Sequence, residues 1–168
     1  LVADARKLAG DGGVVGLRQG DALQVGSFDL QTVWPERFSD EGGNADSLCL
    51  VADADIDGDG ASDWRALFTG DAERDQLRAL IDEGLVDSVD LYKVGHHGSK
   101  NALDDEEAAV LSPRIALVSA GARNRYGHPA QDTLDRLEAA GARVFRTDEQ
   151  GDVSCKLTVD RIEVETLR

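Results

Sequence analysis

The pattern of apolar and polar positions predicts strands in the first part of the chain. Residues 28–33 alternate with a period of two, which is typical of a half-buried strand, and Trp34-Pro35 ends that run. Residues 14–17 and 22–26 flank a Gly-containing turn and are predicted to pair as a hairpin. Two further short apolar runs, at 47–52 and 65–69, complete the predicted β region.

The rest of the chain, from residue 70 onward, is predicted to alternate between helices and strands. Gly70-Asp71 opens a predicted helix of about 15 residues whose leucines recur at helical spacing. Predicted strands cover residues 89–94, 114–119, 144–146, 152–159 and 161–165, and predicted helices cover 104–111 and 129–140. Pro129 suits the first turn of its helix, and Gly141 follows its end. Hairpins followed by β-α-β-α-β predict one α/β layered domain over residues 1–168.

Composition agrees with a folded domain. The chain has 168 residues, of which 41% are hydrophobic, enough to build a core. It has no apolar run of membrane-spanning length, no initiator Met and no signal-peptide layout, so we expect a piece of a longer protein. Cys49 and Cys155 lie in apolar runs and are expected to be buried thiols, with a disulfide as the alternative in an oxidising compartment.

The charge of −15 is unevenly distributed. Residues 1–90 carry 7 basic and 20 acidic side chains, whereas residues 91–128 carry 5 basic and 4 acidic ones. An acidic surface repels nucleic acid, because non-specific affinity comes from Lys and Arg contacts with phosphate. Any phosphate chemistry is therefore expected in the middle segment, where bound metal ions would add positive charge.

Polar residues collect where the predicted strands end, which is where α/β proteins place their sites. Asp71 directly follows an apolar strand, and it could be either a functional carboxylate or a helix N-cap. His96 and His97 stand at the end of the next strand, before Gly98. Imidazole is a good zinc or manganese ligand, and successive strand residues face opposite ways, so one His is expected to face a metal while the other orients a substrate or the loop.

Further candidates follow the doublet. Ser99 and Lys100 are placed to donate hydrogen bonds to a phosphate. His128 lies in a Gly-His-Pro turn at a predicted helix start, where it either contacts a phosphate oxygen, acts as an acid to a leaving group, or has no chemical role. Asn124 and Arg125 precede that turn and are candidate substrate-binding residues.

A separate acidic loop has calcium-like spacing. Asp55, Asp57, Asp59 and Asp63 occupy the first, third, fifth and ninth positions of a calcium loop, with a glycine at the sixth. The twelfth position, which needs a bidentate Glu, is Ala66. The loop is therefore either a calcium site or a solvated acidic turn in the hairpin between residues 52 and 64.

The motifs, taken in order, resemble those of ComEC-type competence proteins, in the C-terminal part of their metallo-β-lactamase-fold domain. The resemblance covers about residues 14–153 and is carried by Leu67-Phe68-Thr69-Gly70-Asp71-Ala72-Glu73, Lys93-Val94-Gly95-His96-His97-Gly98-Ser99, Val118-Ser119-Ala120-Gly121, Asn124-Arg125-Tyr126-Gly127-His128-Pro129 and Arg146-Thr147-Asp148.

This resemblance implies the C-terminal half of an αββα sandwich, with a mixed sheet, helices on one face and two divalent metals, Zn or Mn, along one edge. It implies that Asp71 bridges the metals and that the doublet supplies the last histidine ligand, for which we favour His96. Asn44 stands where many superfamily members carry another His ligand. The implied activity is metal-dependent hydrolysis of phosphodiesters, degrading one strand of incoming DNA at the extracellular face of the cell membrane, beside the membrane-spanning remainder of the protein.

The chain departs from the superfamily pattern at one point, and this departure limits the activity that we expect of it. The main ligand motif of the superfamily, His-x-His-x-Asp-His, occurs nowhere in the chain, so we expect these 168 residues alone to bind metal poorly, to be inactive, and to self-associate through an exposed sheet face. Two alternatives stay open: a stand-alone hydrolase of a small phosphodiester or phosphorylcholine-like ester, and a non-catalytic, calcium-stabilised interaction domain.

Overall fold

The computed structural model describes residues 15–37 and 43–167. Within these residues there are nine strands: β1 (Ala22–Val25), β2 (Phe28–Trp34), β3 (Cys49–Ala54), β4 (Trp64–Phe68), β5 (Leu91–Lys93), β6 (Ile115–Val118), β7 (Arg143–Arg146), β8 (Val153–Leu157) and β9 (Ile162–Thr166). The helices of the same residues are α1 (Arg74–Asp82), α2 (Asp105–Leu111), α3 (Gln131–Ala139) and the short α4 (Thr147–Gln150). Short 3₁₀ turns cover Asn44–Asp46 and Gly95–Gly98.

The first seven strands form one mixed sheet in the order of the sequence. Strands β1 to β4 pair antiparallel, and β4 to β7 pair parallel, with α1, α2 and α3 in the connections between the parallel strands. Strands β8 and β9 form a separate antiparallel hairpin. Because β4, β5 and β6 run in the same direction, the loops that follow them emerge at one edge of the sheet, as α/β proteins require for a site.

One face of the sheet packs against the helices and forms the core. Strand residues Val51, Leu67, Tyr92 and Val118 join helix residues Leu77, Leu80, Leu111, Leu134 and Leu137 in a single buried cluster. Each fully buried leucine of this kind contributes about 1.5–3 kcal/mol relative to exposure. The core therefore fixes the parallel strands, and with them the loops at their carboxyl ends.

The other face of the sheet is apolar but only partly covered. A groove of about 720 Å³ is lined by Val25, Gly26, Ser27, Phe28, Leu30, Ala52, Ile56, Ala66, Phe68, Leu91, Leu117, Cys155 and Leu157. The β8–β9 hairpin closes one side, where Thr158 accepts a hydrogen bond from the indole of Trp64. Val25, Phe28 and Phe68 remain substantially exposed. The expected exposed sheet face is thus present in the described residues.

The predicted class, a mixed α/β sheet with helices on one face, is confirmed. Two local predictions were wrong. Residues 15–17 form no strand, because β1 pairs instead with β2 around Gly26-Ser27, and residue 14 lies outside the described residues. Helix α1 has nine residues rather than about 15 and begins after Glu73, its N-cap. Asp71 and Ala72 belong to the turn at the strand end, in which the Ala72 N–H donates to the Thr69 carbonyl.

The cysteines are free thiols. Cys49 is fully buried in the core, and this burial raises its pKa to about 12. Cys155 is half-buried beside the groove, so only Cys49 is buried as expected. None of the helices within the described residues combines the length and apolar composition that spanning a bilayer requires.

Candidate active site

Three loops meet at the carboxyl ends of β4, β5 and β6. The first carries Asp71, the second the doublet His96-His97, and the third His128. The imidazole rings of His96 and His128 lie 5.5 Å apart between centroids, and those of His96 and His97 lie 6.4 Å apart. The side chains that the sequence singled out therefore share one cleft.

Asp71 does not cap a helix. Its backbone N–H donates to the Ser47 hydroxyl at 3.1 Å, and the N-cap of α1 is Glu73. The carboxylate is 48% exposed, and its Oδ1 lies 3.6 Å from Nε2 of His97. The capping alternative for Asp71 is thus excluded, and its side chain is available for chemistry.

His97 is held in one tautomer by its neighbours. Its Nδ1 lies 2.7 Å from the carbonyl oxygen of Ser119, which can only accept, so Nδ1 carries the proton. The lone pair then resides on Nε2, the atom that approaches Asp71. A ring nitrogen bound to a carbonyl with the other nitrogen free is the arrangement typical of metal-binding histidines.

His96 has different partners. Its Nδ1 lies 2.7 Å from a carboxylate oxygen of Glu73 and 3.3 Å from Nδ2 of Asn44. The carboxylate fixes the ring and leaves Nε2 as the unengaged nitrogen. Asn44 thus reaches the site, as expected, but it contacts His96 and not Asp71. Glu73 was not recognised as a site residue, because an acidic residue beside a helix start also suits the helix dipole.

The doublet is presented by a strained backbone. His96 and His97 have φ values of 43° and 56°, in the left-handed region that side chains other than glycine rarely adopt. The turn is pressed against the β4 loop: the His96 N–H donates to the Gly70 carbonyl at 3.0 Å, and a Cβ on Gly95 would meet the Ala72 carbonyl at 2.5 Å. Gly95 is required for this close approach, which brings the histidines to Asp71.

The third loop is organised by Asn124. Its Nδ2 donates to the carbonyls of Gly121 and His128, at 2.8 and 2.6 Å, and its Oδ1 accepts from the N–H groups of Tyr126 and His128. His128 precedes α3 by three residues and therefore does not lie at the helix start, contrary to expectation. Burial lowers the pKa of His128, and the nearby His96 and His97 add to that shift. Asn124, a candidate substrate-binding residue, holds the loop through these four hydrogen bonds.

The remaining candidate residues differ in their exposure and contacts. Ser99 is only 4% exposed, and its hydroxyl accepts a hydrogen bond from the Asn101 N–H, so it is engaged within its own loop. Lys100 and Arg125 are exposed. Lys93, to which the sequence assigned no role, is half-buried near Asp71; burial lowers its pKa, and the charge of Asp71 opposes that shift.

A pocket adjoins the cleft. Its volume is about 250 Å³, and its lining consists of His97, Ser119, Ala120, Gly121, Asn124, Tyr126 and His128. His97 and His128 both line the pocket. A small group bound there would contact the same histidines that approach Asp71.

The acidic loop lies at the other end of the sheet, between β3 and β4. Carboxylate oxygens of Asp55, Asp57 and Asp63 lie within 4.8 Å of one another. Backbone N–H groups already donate to them, including those of Gly58 and Gly60 to Asp55, at 2.7 and 3.0 Å. Asp59 accepts from the Ala61 N–H and is not part of this group. These hydrogen bonds account for the loop's shape without a cation.

The sequence of the chain is similar to those of several known proteins. No family model matches the chain. It is 34% identical over 137 residues to ComE operon protein 3 of Bacillus subtilis, which covers 82% of the chain. It is 28% identical over 141 residues to Recombination protein 2 of Haemophilus influenzae and 32% identical over 104 residues to Competence protein ComA of Neisseria gonorrhoeae, covering 83% and 61% of the chain.

The chain spans only a small part of these relatives, 17%, 16% and 15% of their respective lengths. Over most of its length, the chain is similar to one segment of bacterial competence proteins.

Proposed function

We propose that the chain is the C-terminal half of a metallo-β-lactamase-like domain and that the complete domain is a two-metal DNase of a competence protein. One observation carries this proposal: Asp71 presents a carboxylate oxygen to Nε2 of His97, whose Nδ1 is tied to a backbone carbonyl. This pair combines an anionic oxygen with an oriented imidazole lone pair, as a divalent metal site requires.

The geometry of the pair fits a metal ion. Zinc binds histidine nitrogen and carboxylate oxygen at about 2.0–2.2 Å, so two ligand atoms of one tetrahedral ion lie about 3.4 Å apart. Asp71 Oδ1 and His97 Nε2 are 3.6 Å apart. The ring of His96 is oriented in a comparable way, because its Nδ1 lies against Glu73, but the described residues show no contact between His96 and Asp71 like that of His97. We therefore assign metal binding to Asp71 and His97, in preference to the His96 favoured from the sequence.

The other residues of the cleft act on the substrate. When bound, two divalent cations such as Zn²⁺ or Mn²⁺ would activate a water and neutralise phosphate charge. His96, oriented by Glu73, and His128, oriented by the Asn124 loop, are positioned to contact phosphate oxygens or to protonate a leaving oxygen. Arg125 offers a cation that can attract the DNA backbone near the cleft.

The apolar groove supports the sandwich architecture. In an αββα fold the helix-free face of each sheet packs on the other half of the domain. The helix-free face of this sheet is lined by Leu30, Ala66, Leu91 and Leu117, with Phe68 partly exposed. A second sheet bearing the missing metal ligands is the occupant that we propose for this groove.

The relatives support a proposal for the cellular setting. Because the chain matches segments of competence proteins, we propose that it serves DNA uptake as a domain of a membrane-associated competence protein, on the extracellular face of the cell membrane, and that it degrades one strand of incoming DNA. The substrate is DNA, and the chain's partner is the membrane-spanning remainder of the protein.

The test is cleavage of end-labelled DNA by the full-length protein. We expect cleavage that depends on Mn²⁺ or Zn²⁺ and stops with EDTA, and we expect Asp71→Ala to reduce it by more than about 100-fold, since losing even an outer partner of a metal ligand costs about 10- to 100-fold. The 168-residue chain alone should be inactive. Asp29→Ala, an exposed aspartate on β2, is the matched control and should retain activity. Unchanged cleavage by Asp71→Ala would overturn the assignment.

Turnover of bis(p-nitrophenyl) phosphate without DNA cleavage would instead support the small-phosphodiester alternative.

Thermal unfolding separates the enzyme from a calcium-stabilised interaction domain. Under the proposed function, Mn²⁺ or Zn²⁺ raises the Tm of the full-length protein and Ca²⁺ does not, because a cation binding only the folded state stabilises it by mass action. The calcium alternative predicts the reverse, with the Ca²⁺ response lost in Asp57→Asn and kept in Asp59→Asn, whose carboxylate lies outside the cluster.

A further inference from the structure

Tyr126 is an aromatic side chain that the cleft displays to solvent. Its ring stacks on His128, with centroids 5.9 Å apart and an interplanar angle of 15°. The side chain is nevertheless 83% exposed. One face of the ring is thus covered by the imidazole, and the other is open at the mouth of the His97–His128 pocket.

The loop holds this ring in place. Oδ1 of Asn124 accepts hydrogen bonds from the N–H groups of both Tyr126 and His128, at 3.2 and 3.0 Å. Nδ2 of the same residue donates to the carbonyls of Gly121 and His128. The half-buried Asn124 amide therefore ties the backbone of both stacked residues together, so that little backbone ordering remains for a ligand to impose.

The charge around Tyr126 differs from that of the chain as a whole. Arg123 and Arg125 flank Asn124 and are exposed, and within the described residues neither forms an ion pair. Residues 121–130 contain no acidic side chain, in a chain of net charge −15. An open aromatic face beside exposed guanidinium groups is the combination that binds single-stranded nucleic acid, with bases on the ring and phosphates on the cations.

We propose that Tyr126 is a base-stacking residue: its open face receives a nucleobase adjacent to the phosphate held at the cleft. The inference rests on the proposed function and specifies which part of the DNA substrate, a nucleobase, the protein binds beside the cleft. A base inside a duplex is already stacked on both sides and cannot cover the ring, so Tyr126 confers preference for an unpaired strand or end. Stacking tolerates all four bases because each has a π face, so no sequence preference is expected.

The test measures binding by the full-length protein in EDTA, which prevents cleavage. The probe is a single-stranded oligothymidylate with one 2-aminopurine, whose fluorescence is quenched on stacking, and a covalently closed circular duplex, which has no terminal base pair, serves for comparison. Tyr126→Leu should weaken binding of the single strand between about 5- and 150-fold, the range that base–aromatic stacking supplies, and should remove the quenching. Tyr126→Phe keeps the ring and should keep both. Duplex binding should be unchanged in either variant.

Three results would overturn this inference. Tyr126→Leu could bind the single strand as well as wild type does, or it could weaken binding of the single strand and the duplex equally. The third result is that wild type does not bind the single strand. The proposed function fails separately. If Asp71→Ala abolishes cleavage while Tyr126→Leu binds normally, the nuclease stands without a stacking residue. If Asp71→Ala cleaves normally while Tyr126→Leu loses the single strand, the metal assignment falls and the nucleic-acid contact stands.

Discussion

Changing His97 to glutamine in the full-length protein is expected to abolish DNA cleavage and to lower affinity for Mn²⁺ or Zn²⁺ by more than about 100-fold. The change removes the side chain that we propose as a direct ligand, and losing an outer partner alone costs about 10- to 100-fold. Changing His96 to glutamine should leave metal affinity within a few-fold of wild type. It should still slow cleavage by about 100-fold or more, the range associated with losing a proton-transferring group. Metal content of the purified variants and initial cleavage rates measure the two effects.

The two histidines are matched controls for each other. They are neighbours in one strained turn, so a general disturbance of the loop would affect both variants alike. Their partners differ: the Ser119 carbonyl holds His97, and the Glu73 carboxylate holds His96. Loss of metal in His96→Gln with retention in His97→Gln would reverse our assignment.

The 168-residue chain by itself is expected to self-associate through the groove on the helix-free sheet face. Phe28→Glu should weaken this association by more than about 100-fold, since burying an unpaired carboxylate costs several kcal/mol. Analytical ultracentrifugation over a concentration series measures the change. In the full-length protein, where we propose that a second sheet fills the groove, the same face should no longer associate.

Val110→Glu supplies the control for added charge. Val110 is exposed to a similar degree, 42% against 38% for Phe28, but it lies on α2, on the helix-bearing side of the sheet. It should leave the association unchanged. A monomeric wild-type chain, or equal effects of the two variants, would contradict this use of the groove.

Most of the α/β order could be predicted because hydrophobic periodicity is a local property. The helical spacing of Leu77 and Leu80 reflects the one buried face of α1. The period-two run correctly located β2, although its neighbours Thr32 and Val33 are both buried. The start of α1 was misplaced for a non-local reason. The Gly70 carbonyl accepts the His96 N–H, and this contact keeps the β4 end in a turn until Glu73.

The site was predictable in its residue types and less so in their roles. Histidines and an aspartate at strand ends indicated a metal or phosphate site, and the parallel strands bring them to one edge. Which ring nitrogen is free depends on the Ser119 carbonyl and on Glu73, which lie 22 and 23 residues away in sequence. The loop contacts of Asn124 could not be predicted, because an amide that satisfies its own loop has the same sequence signature as one that awaits substrate.

Joint ligation of metal by Asp71 and His97 is tested most directly by calorimetric titration of Mn²⁺ into the full-length protein and its Asp71→Ala variant. A carboxylate shared by two ions predicts that wild type binds two ions per chain and that Asp71→Ala loses at least one of them, with weaker affinity for any that remains. Two ions bound with unchanged affinity in Asp71→Ala would contradict it.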